Sequence, residues 1–284
     1  MTTRSPLYFA LRRFTDNKGA VVCGVILAVI ILMAIFAPLI TITSYEAQDF
    51  LTESLAFPSA AHPMGIDDLG RDFFARIVYG ARVSLTIGFA AAAFSVLIGI
   101  PLGAISGYYG GAADWVVMRL IELFSVVPPL LAAMLLGALT GGGFFTIVLI
   151  AALFGWVQVC LLVRAQVKAF REKEFVRAAQ ALGATPGYII WRHLIPNSVS
   201  PIIVGFVLAI PLAMMLEASL SFLGIGVPPP TPSWGQMINV GMNFMYFYWH
   251  MAVFPTAALA ITVLATTLFG DGLRDALDPT LKGR

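Results

Sequence analysis

Long stretches without a charged side chain constrain the fold of this chain more than any other feature of its sequence. Residues 19–40 and 83–113 contain no acidic or basic residue. A helix needs about 20 mostly apolar residues to cross the hydrocarbon core of a bilayer. Charged residues make up 11% of the chain and hydrophobic residues 59%, whereas a soluble domain carries about 25% charged residues. We therefore predict an all-α integral membrane protein.

Six apolar segments predict six transmembrane helices. They cover residues 19–40, a part of 83–113, a stretch from Trp115 through Pro128 and Pro129, and residues 144–163, 199–220 and 249–269. The chain divides accordingly into an N-terminal segment (1–18), the first helix, a loop (41–82), a five-helix core (83–270) containing a long internal loop (164–198), and a C-terminal segment (271–284). Five prolines are expected to kink these helices, which membrane proteins tolerate where neighbours satisfy the freed carbonyl groups. They are Pro101, Pro128, Pro129, Pro211 and Pro255.

The basic residues predict the orientation of these helices. If both chain ends are cytoplasmic, the outer loops keep only Arg71, Arg76 and Arg82 of the 17 basic residues. Lysine and arginine are enriched in cytoplasmic loops of membrane proteins, so we predict cytoplasmic N- and C-termini. The loop 41–82, which contains six acidic residues, is then extracytoplasmic. These are Glu46, Asp49, Glu53, Asp67, Asp68 and Asp72.

Several classes of site are missing from the sequence. We find no Walker A or dinucleotide-binding pattern, and no nucleophile elbow or zincin motif. Cys23 and Cys160 lie in apolar runs, which favours small buried side chains, and the three histidines have no metal-ligand spacing. We therefore expect neither an enzyme nor a cofactor in this chain, and the net charge of +2 gives no reason to expect nucleic acid.

The internal loop 164–198 is too long and too patterned for a simple turn. Phe175, Ala178, Ala179 and Leu182 recur at helical spacing and predict one face of a short helix. Gly183 is a candidate C-terminal cap. The sequence Thr185-Pro186 predicts the N-cap and first residue of a second helix. Taken alone, this pattern fits either a helix that enters a groove on a partner protein or an interfacial helix on lipid headgroups.

One motif in this loop resembles a known family. Ala178-Ala179-x-x-x-Gly183, followed after nine residues by His193-Leu194-Ile195-Pro196, is similar to the "EAA" loop of ATP-binding-cassette (ABC) importer permeases. Arg177 stands where that pattern has Glu, and His193 stands where it has Ile. The resemblance implies contact with an ATPase through a set of neighbouring residues. These are Glu174, Phe175, Arg177, Ala178, Ala179, Leu182, Gly183, Ala184, Thr185 and Pro186.

Further motifs along nearly the whole chain resemble the second permease of dipeptide, oligopeptide and nickel importers. They are His62-Pro-x-Gly65-x-Asp-x-x-Gly70-Arg-Asp72, Gly80-Ala-Arg-x-Ser-Leu85, Gly107-Tyr-Tyr-Gly-Gly111-x-x-Asp114, Ser219-x-Ser-Phe-Leu-Gly-x-Gly226 and Pro232-Ser-Trp-Gly235. The resemblance implies half of a translocation pathway in a bacterial inner membrane. It also implies a second homologous permease, two ATP-binding subunits that hold ATP and magnesium, and an extracytoplasmic solute-binding protein.

Ionisable residues inside predicted helices are candidate functional residues, because their desolvation is costly. Glu217 lies near the outer end of the fifth helix, where it is either a hydrogen-bonded structural acid or a substrate or gating group. Arg119 and Glu122 lie three residues apart, so they can form an ion pair with each other.

The aromatic loop 221–248 and the overall function also admit alternatives. The loop is expected either to dock a binding protein or to form an aromatic belt at the membrane interface. A secondary transporter or a channel would also have several spans. We see no internal repeat typical of a secondary transporter and no filter-like motif typical of a channel.

Overall fold

The computed structural model describes residues 6–48 and 54–277. Its described residues are helical apart from loops and two isolated β-bridges, Gln48 with Arg71 and Ile66 with Asp72, which confirms the predicted all-α class. The predicted orientation and the acidic first loop depend partly on charged side chains that lie outside the described residues. These are Arg4, Asp49, Glu53, Lys282 and Arg284.

The helices follow one another along the chain with short connections, except for the loops after α3 (41–72) and after α11 (223–233). They are α1 (Pro6–Asp16), α2 (Lys18–Ile35), α3 (Ala37–Ile40), α4 (Phe73–Tyr109), α5 (Gly111–Val126), α6 (Pro129–Thr140), α7 (Phe144–Arg171), α8 (Glu174–Ala181), α9 (Pro186–Ile189), a π-helical turn (Ile190–Leu194), α10 (Ile195–Asn197), α11 (Val199–Phe222), α12 (Trp234–Phe244) and α13 (His250–Leu277).

Five of these helices, α2, α4, α7, α11 and α13, are long and apolar enough to cross a membrane. The consecutive helices α5 and α6 also qualify as a pair, although they are bent by 80°. The pair is therefore either one broken span or a re-entrant loop, and the described residues supply five to six crossings.

The broken pair lies where the sequence predicts one continuous third span. Val127 and Pro128 both have extended backbone conformations between the two helices. A proline disfavours helical geometry in the residue before it, and Pro128-Pro129 imposes this restriction on both residues. The consecutive prolines thus break the helix, whereas α4, α11 and α13 each continue through one internal proline.

Several other helix boundaries differ from the predicted ones. The helices α7 and α13 each end eight residues beyond the predicted ends at 163 and 269, at Arg171 and Leu277. The first predicted span, α2, ends at Ile35 instead of Ile40, because the chain turns at Phe36 and the separate helix α3 begins at Ala37, with Pro38 in its first turn. The second helix begins at Phe73, well inside the predicted loop 41–82, because the Asp72 side chain accepts a hydrogen bond from the Ala75 N–H and caps the helix there. Since hydropathy alone set the predicted boundary, the charged first turns of α4 were missed.

Three glycines bring α4 against α7 at the centre of the bundle. Gly99, Gly103 and Gly107 recur every four residues and form one ridge of α4. A Cβ on Gly103 would lie 2.5 Å from the Cys160 carbonyl oxygen, and one on Gly107 would lie 2.7 Å from the Arg164 carbonyl oxygen. Small residues at four-residue spacing let membrane helices approach closely, so this ridge sets the distance between the two backbones.

The bundle has two ends with different constituents. At one end, which we call the α12 end, the Trp234 N–H of α12 donates to Ser84 of α4, and Arg76 donates to the carbonyl of Pro230. At the other, the α8 end, Gln180 of α8 donates to the hydroxyl of Tyr108, near the end of α4. The helix α4 therefore connects the two ends.

Candidate functional site

The short helix α8 is held against the bundle by two side chains. Val176 and Ala179 are its buried residues, and they belong to an apolar cluster with Val163 and Val167 of α7. The Gln180 amide adds a hydrogen bond of 3.3 Å to the Tyr108 hydroxyl. The inner face of α8 is thereby fixed to α4 and α7.

The predicted apolar face of α8 points away from the bundle, with one exception. Of its four residues, only Ala179 is buried, whereas Phe175, Ala178 and Leu182 are exposed. The exposed fraction of Leu182 is 88%. Sequence periodicity placed these four residues on one face, but Val176 and Ala179 form the inward face. The outer residues stay exposed, and Phe175 lies near the rings of Phe170 and His193.

The turn after α8 has the caps that the sequence predicts. Gly183 adopts a left-handed conformation with φ of 80°. Its N–H and that of Ala184 donate to the carbonyls of Gln180 and Ala179, the pattern of a Schellman cap. Thr185 then caps α9 by accepting a hydrogen bond from the Tyr188 N–H, and Pro186 occupies the first helical position. The angle between α8 and the next helix is therefore defined by hydrogen bonds.

A nearly continuous helical segment joins this turn to α11. The π-helical turn Ile190–Leu194 lies between α9 and α10, and Ser198 follows at the N-cap of α11. Ile189 and Leu194 are fully buried in the same cluster as α8. A displacement of α8 would therefore reach α11 through packed side chains.

The charged residues of α8 lie on its surface. Arg177, at the position of the family's Glu, forms an exposed ion pair of 3.3 Å with Glu172. Glu174 lies in the first turn of α8, where a carboxylate is favourable to the helix dipole. The ring of His193 lies 6.5 Å from that of Phe175 and 5.6 Å from that of Tyr188. These side chains form one mixed polar and aromatic surface.

A three-helix polar contact near the α8 end was not predicted. Arg164 of α7 donates from Nε and Nη2 to the two carboxylate oxygens of Asp114 in α5, both at 2.6 Å. The Ser106 hydroxyl of α4 donates to the same carboxylate. Asp114 was named from the sequence only as part of a motif. Its contact with Arg164 was missed, because nothing in the linear sequence relates the two residues.

Glu217 is fully buried among hydroxyl groups. Ser84 of α4 donates to one carboxylate oxygen at 3.0 Å, and Ser221 of α11 donates to the other at 2.7 Å. Ser233, the N-cap of α12, lies 3.4 Å from the Ser221 hydroxyl. Glu217 therefore connects α4 and α11 with the start of α12, and both of its oxygens have partners.

Arg119 and Glu122 pair with each other on the exposed surface of α5, at 2.5 Å. Arg119 also lies over the Trp115 ring, at 5.9 Å from its centre. The predicted ion pair is thus present, and it joins no second helix.

At the α12 end, a charge cluster orders the loop before α4. Asp67 accepts from Arg71 at 2.7 Å and lies 3.3 Å from Arg76. These residues line a cavity of about 130 Å³ together with Asp68 and α12. Burial and the neighbouring Asp67 charge raise the pKa of Asp68. Asp68 is therefore harder to ionise than an exposed aspartate.

The predicted loop 221–248 contains the helix α12, and it has two kinds of aromatic residue. Trp234 is buried, and its indole N–H donates to the Ile77 carbonyl. Tyr246 and Phe247 are exposed, and so is Trp249 directly after this segment. The described residues bring together no group of three histidine, cysteine or acidic side chains that could hold a metal ion.

Two family models match the sequence. Residues 99–283 match the "Binding-protein-dependent transport system inner membrane component", and residues 5–58 match the "N-terminal TM domain of oligopeptide transport permease C".

Several relatives cover nearly all of the chain. The "Oligopeptide transport system permease protein OppC" of Bacillus subtilis (strain 168) is 42% identical over 96% of this chain and 89% of its own length. The "Dipeptide transport system permease protein DppC" of Alkalihalophilus pseudofirmus is 40% identical over 99% and 92%. The "Glutathione transport system permease protein GsiD" of Escherichia coli O6:K15:H31 is 38% identical over 99% and 92%.

Solved structures share the fold. A chain of the inward-facing MetNI methionine ABC transporter superposes with a TM-score of 0.56 at 19% identity, over 72% of this chain and 96% of that chain. A chain of an amino acid ABC transporter gives a TM-score of 0.54 at 17% identity, over 70% and 92%. With this fold, the match over residues 99–283 and the full-length relatives, the chain belongs to the family of inner membrane components of binding-protein-dependent transport systems.

Proposed function

We propose that this chain is one of two permease subunits of an ATP-driven importer for peptides, and that it forms half of the translocation pathway. Two separate ATP-binding subunits would bind ATP and magnesium and contact α8. An extracytoplasmic binding protein would deliver the solute at the α12 end.

The observation that carries this proposal is the exposed apolar face of α8. Phe175 and Leu182 are exposed, although Val176 and Ala179 anchor the other side of the helix. An amphipathic helix that presents apolar residues outside its own bundle fits a groove on a partner. The Schellman cap at Gly183 and the buried Ile189 and Leu194 give the helix a fixed attachment, so a partner can displace it as a rigid element.

The distribution of charge supports a cytoplasmic α8 end. Basic residues lie in α8 and on both sides of it along the chain. They include Arg171 in α7, Lys173 in the connection, Arg177 in α8 and Arg192 in the π-helical turn. The positive-inside tendency places such a cluster in the cytoplasm. An interfacial position on lipid is the alternative for α8, and it predicts no dependence on ATP-binding subunits.

The class of transported solute is proposed from the names of the relatives. Their names specify oligopeptide, dipeptide and glutathione transport, and all three solutes contain peptide or peptide-like amide bonds. Peptides are therefore the solute class that we propose for this chain.

Leu182→Glu tests the contact with the ATP-binding subunits. Leu182 is 88% exposed, so the change should leave the fold intact while placing a charge in an apolar interface, where an unpaired charge is costly. We expect the ATP-binding subunits to co-purify at least tenfold less with the variant than with the wild-type chain, and peptide uptake to fall in parallel.

Tyr246→Glu is the matched control, because Tyr246 is 91% exposed at the opposite end of the bundle. It should retain the ATP-binding subunits. Equal retention by the Leu182 variant, or a wild-type chain that transports without any ATP-binding subunit, would refute the proposal and favour a secondary transporter or a channel.

A further inference from the structure

The ion pair between Asp114 and Arg164 joins a closely packed helix, α7, to a helix with few buried residues, α5. Arg164 lies on α7, whose backbone is in close contact with α4 at Gly103 and Gly107. Asp114 lies in the first turn of α5, whose buried residues are Val117 and Ile121. The helix α5 is therefore lightly packed, and its start is held by a specific polar contact.

The geometry of this contact fixes both the distance between the Arg164 and Asp114 side chains and their relative orientation. Arg164 uses two separate nitrogens on two carboxylate oxygens, at 2.6 Å each. Such a bidentate pair has a defined plane, unlike a contact with a lysine ammonium group. The Ser106 hydroxyl adds a third bond to the Asp114 carboxylate, so the carboxylate is held by α4 and α7 together.

The connection between α4 and α5, close to the ion pair, is short. A single residue, Gly110, separates the end of α4 from the start of α5, and Gly110 and Gly111 both have positive φ. A movement of α4 or α7 at this level is therefore transmitted to the start of α5 by the tight turn and by the carboxylate.

The same part of α4 and α7 is attached to α8. The helix α7 leads into α8 through Glu172 and Lys173, and Tyr108 of α4 accepts a hydrogen bond from Gln180 of α8. Arg164 and Ser106 thus lie between α8 and α5, and α5 continues into the 80° break before α6.

We propose that Asp114 and Arg164 are positioning residues, which make the broken pair α5–α6 follow α7 when α8 is displaced. This inference rests on the proposed function, because it assumes that ATP-binding subunits move α8. It assigns to the ion pair the transmission of that movement from α7 to α5 and α6.

The test separates ATP hydrolysis from transport in the complete complex reconstituted in proteoliposomes. The two readouts are ATP hydrolysis stimulated by the binding protein and uptake of labelled alanyl-alanine, measured in the same vesicles. For Asp114→Asn we expect hydrolysis within twofold of wild type and uptake per ATP reduced at least fivefold. Asp114→Glu should recover part of the uptake per ATP. The double variant Asp114→Arg with Arg164→Asp should show a higher uptake per ATP than either Asp114→Arg or Arg164→Asp alone.

Glu122→Gln is the matched control, because it removes the ion pair with Arg119 on the same helix without disturbing a second helix. It should leave uptake per ATP unchanged. Arg164→Lys keeps the charge but not the bidentate geometry, and it should lower uptake per ATP as Asp114→Asn does. This second variant tests the inference independently of how well Asp114→Asn folds.

Unchanged uptake per ATP in both Asp114→Asn and Arg164→Lys would overturn the inference, as would an equal loss in Glu122→Gln. These outcomes differ from failure of the proposed function, in which the wild-type complex itself would not form.

Discussion

At the scale of single residues, a buried acid shows how neighbours determine the role of a group. Sequence alone left Glu217 as either a structural acid or a substrate or gating group. Its two oxygens accept hydrogen bonds from Ser84 and Ser221 and it is fully buried, which favours the structural role. Since hydroxyl groups can rotate, an amide of the same shape can keep this network.

Glu217→Gln and Glu217→Ala distinguish the two roles. We expect Glu217→Ala to lower stability by about 1–3 kcal/mol, the cost of leaving buried polar groups unsatisfied, and Glu217→Gln to cost clearly less. Thermal unfolding of the purified chain in detergent measures both effects. Wild-type stability with abolished peptide uptake in Glu217→Gln would instead assign a charge-dependent role in transport.

At the scale of helices, the packing of α4 on α7 depends on the glycine ridge. A Cβ on Gly103 would lie within 2.5 Å of a backbone oxygen, and a backbone atom cannot rotate away as a side chain can. The helices must then separate, which disturbs the Arg164 backbone beside Gly107 as well.

Gly103→Ala should therefore destabilise the chain by about 1–3 kcal/mol, the usual cost of overpacking. Gly205→Ala is the comparison within another spanning helix, because the nearest atom there is the tip of the Leu162 side chain at 3.1 Å, which can move. Thermal unfolding of both variants checks this expectation. A smaller loss in Gly103→Ala than in Gly205→Ala would contradict the importance of the ridge.

Local sequence signals predicted many helix features but not the contacts between helices. The caps at Gly183 and Thr185 follow from backbone requirements of the residues themselves, so they were predictable. The inward face of α8 was not, because Val176 and Phe175 are both apolar and only α7 decides which one is buried. The Asp114–Arg164 contact depends on the whole path of the chain between the two residues.

At the scale of the whole molecule, the two ends of the bundle should lie on opposite sides of the membrane. Leu182 and Tyr246 mark these ends, with exposed fractions of 88% and 91%. The native Cys23 and Cys160 are buried, so the unsubstituted chain serves as a control with little labelling.

Leu182→Cys should react with a membrane-impermeant maleimide only in inside-out vesicles, and Tyr246→Cys only in right-side-out vesicles. Gel-shift analysis of each labelled chain gives the result. Labelling of both cysteines from one side would show that the predicted orientation and the number of crossings are wrong.

The length of α4 affects how a structural change at one end of the bundle can reach the other end. Its 37 residues correspond to about 55 Å at 1.5 Å per residue, whereas the hydrocarbon core is about 30 Å thick. This continuous helix is therefore longer than the hydrocarbon core is thick, and it extends from the Asp72 cap to Tyr108, whose hydroxyl accepts a hydrogen bond from Gln180 of α8. If the proposed binding protein and ATP-binding subunits contact the chain at these two ends, the binding of one can therefore affect the other along a single helix.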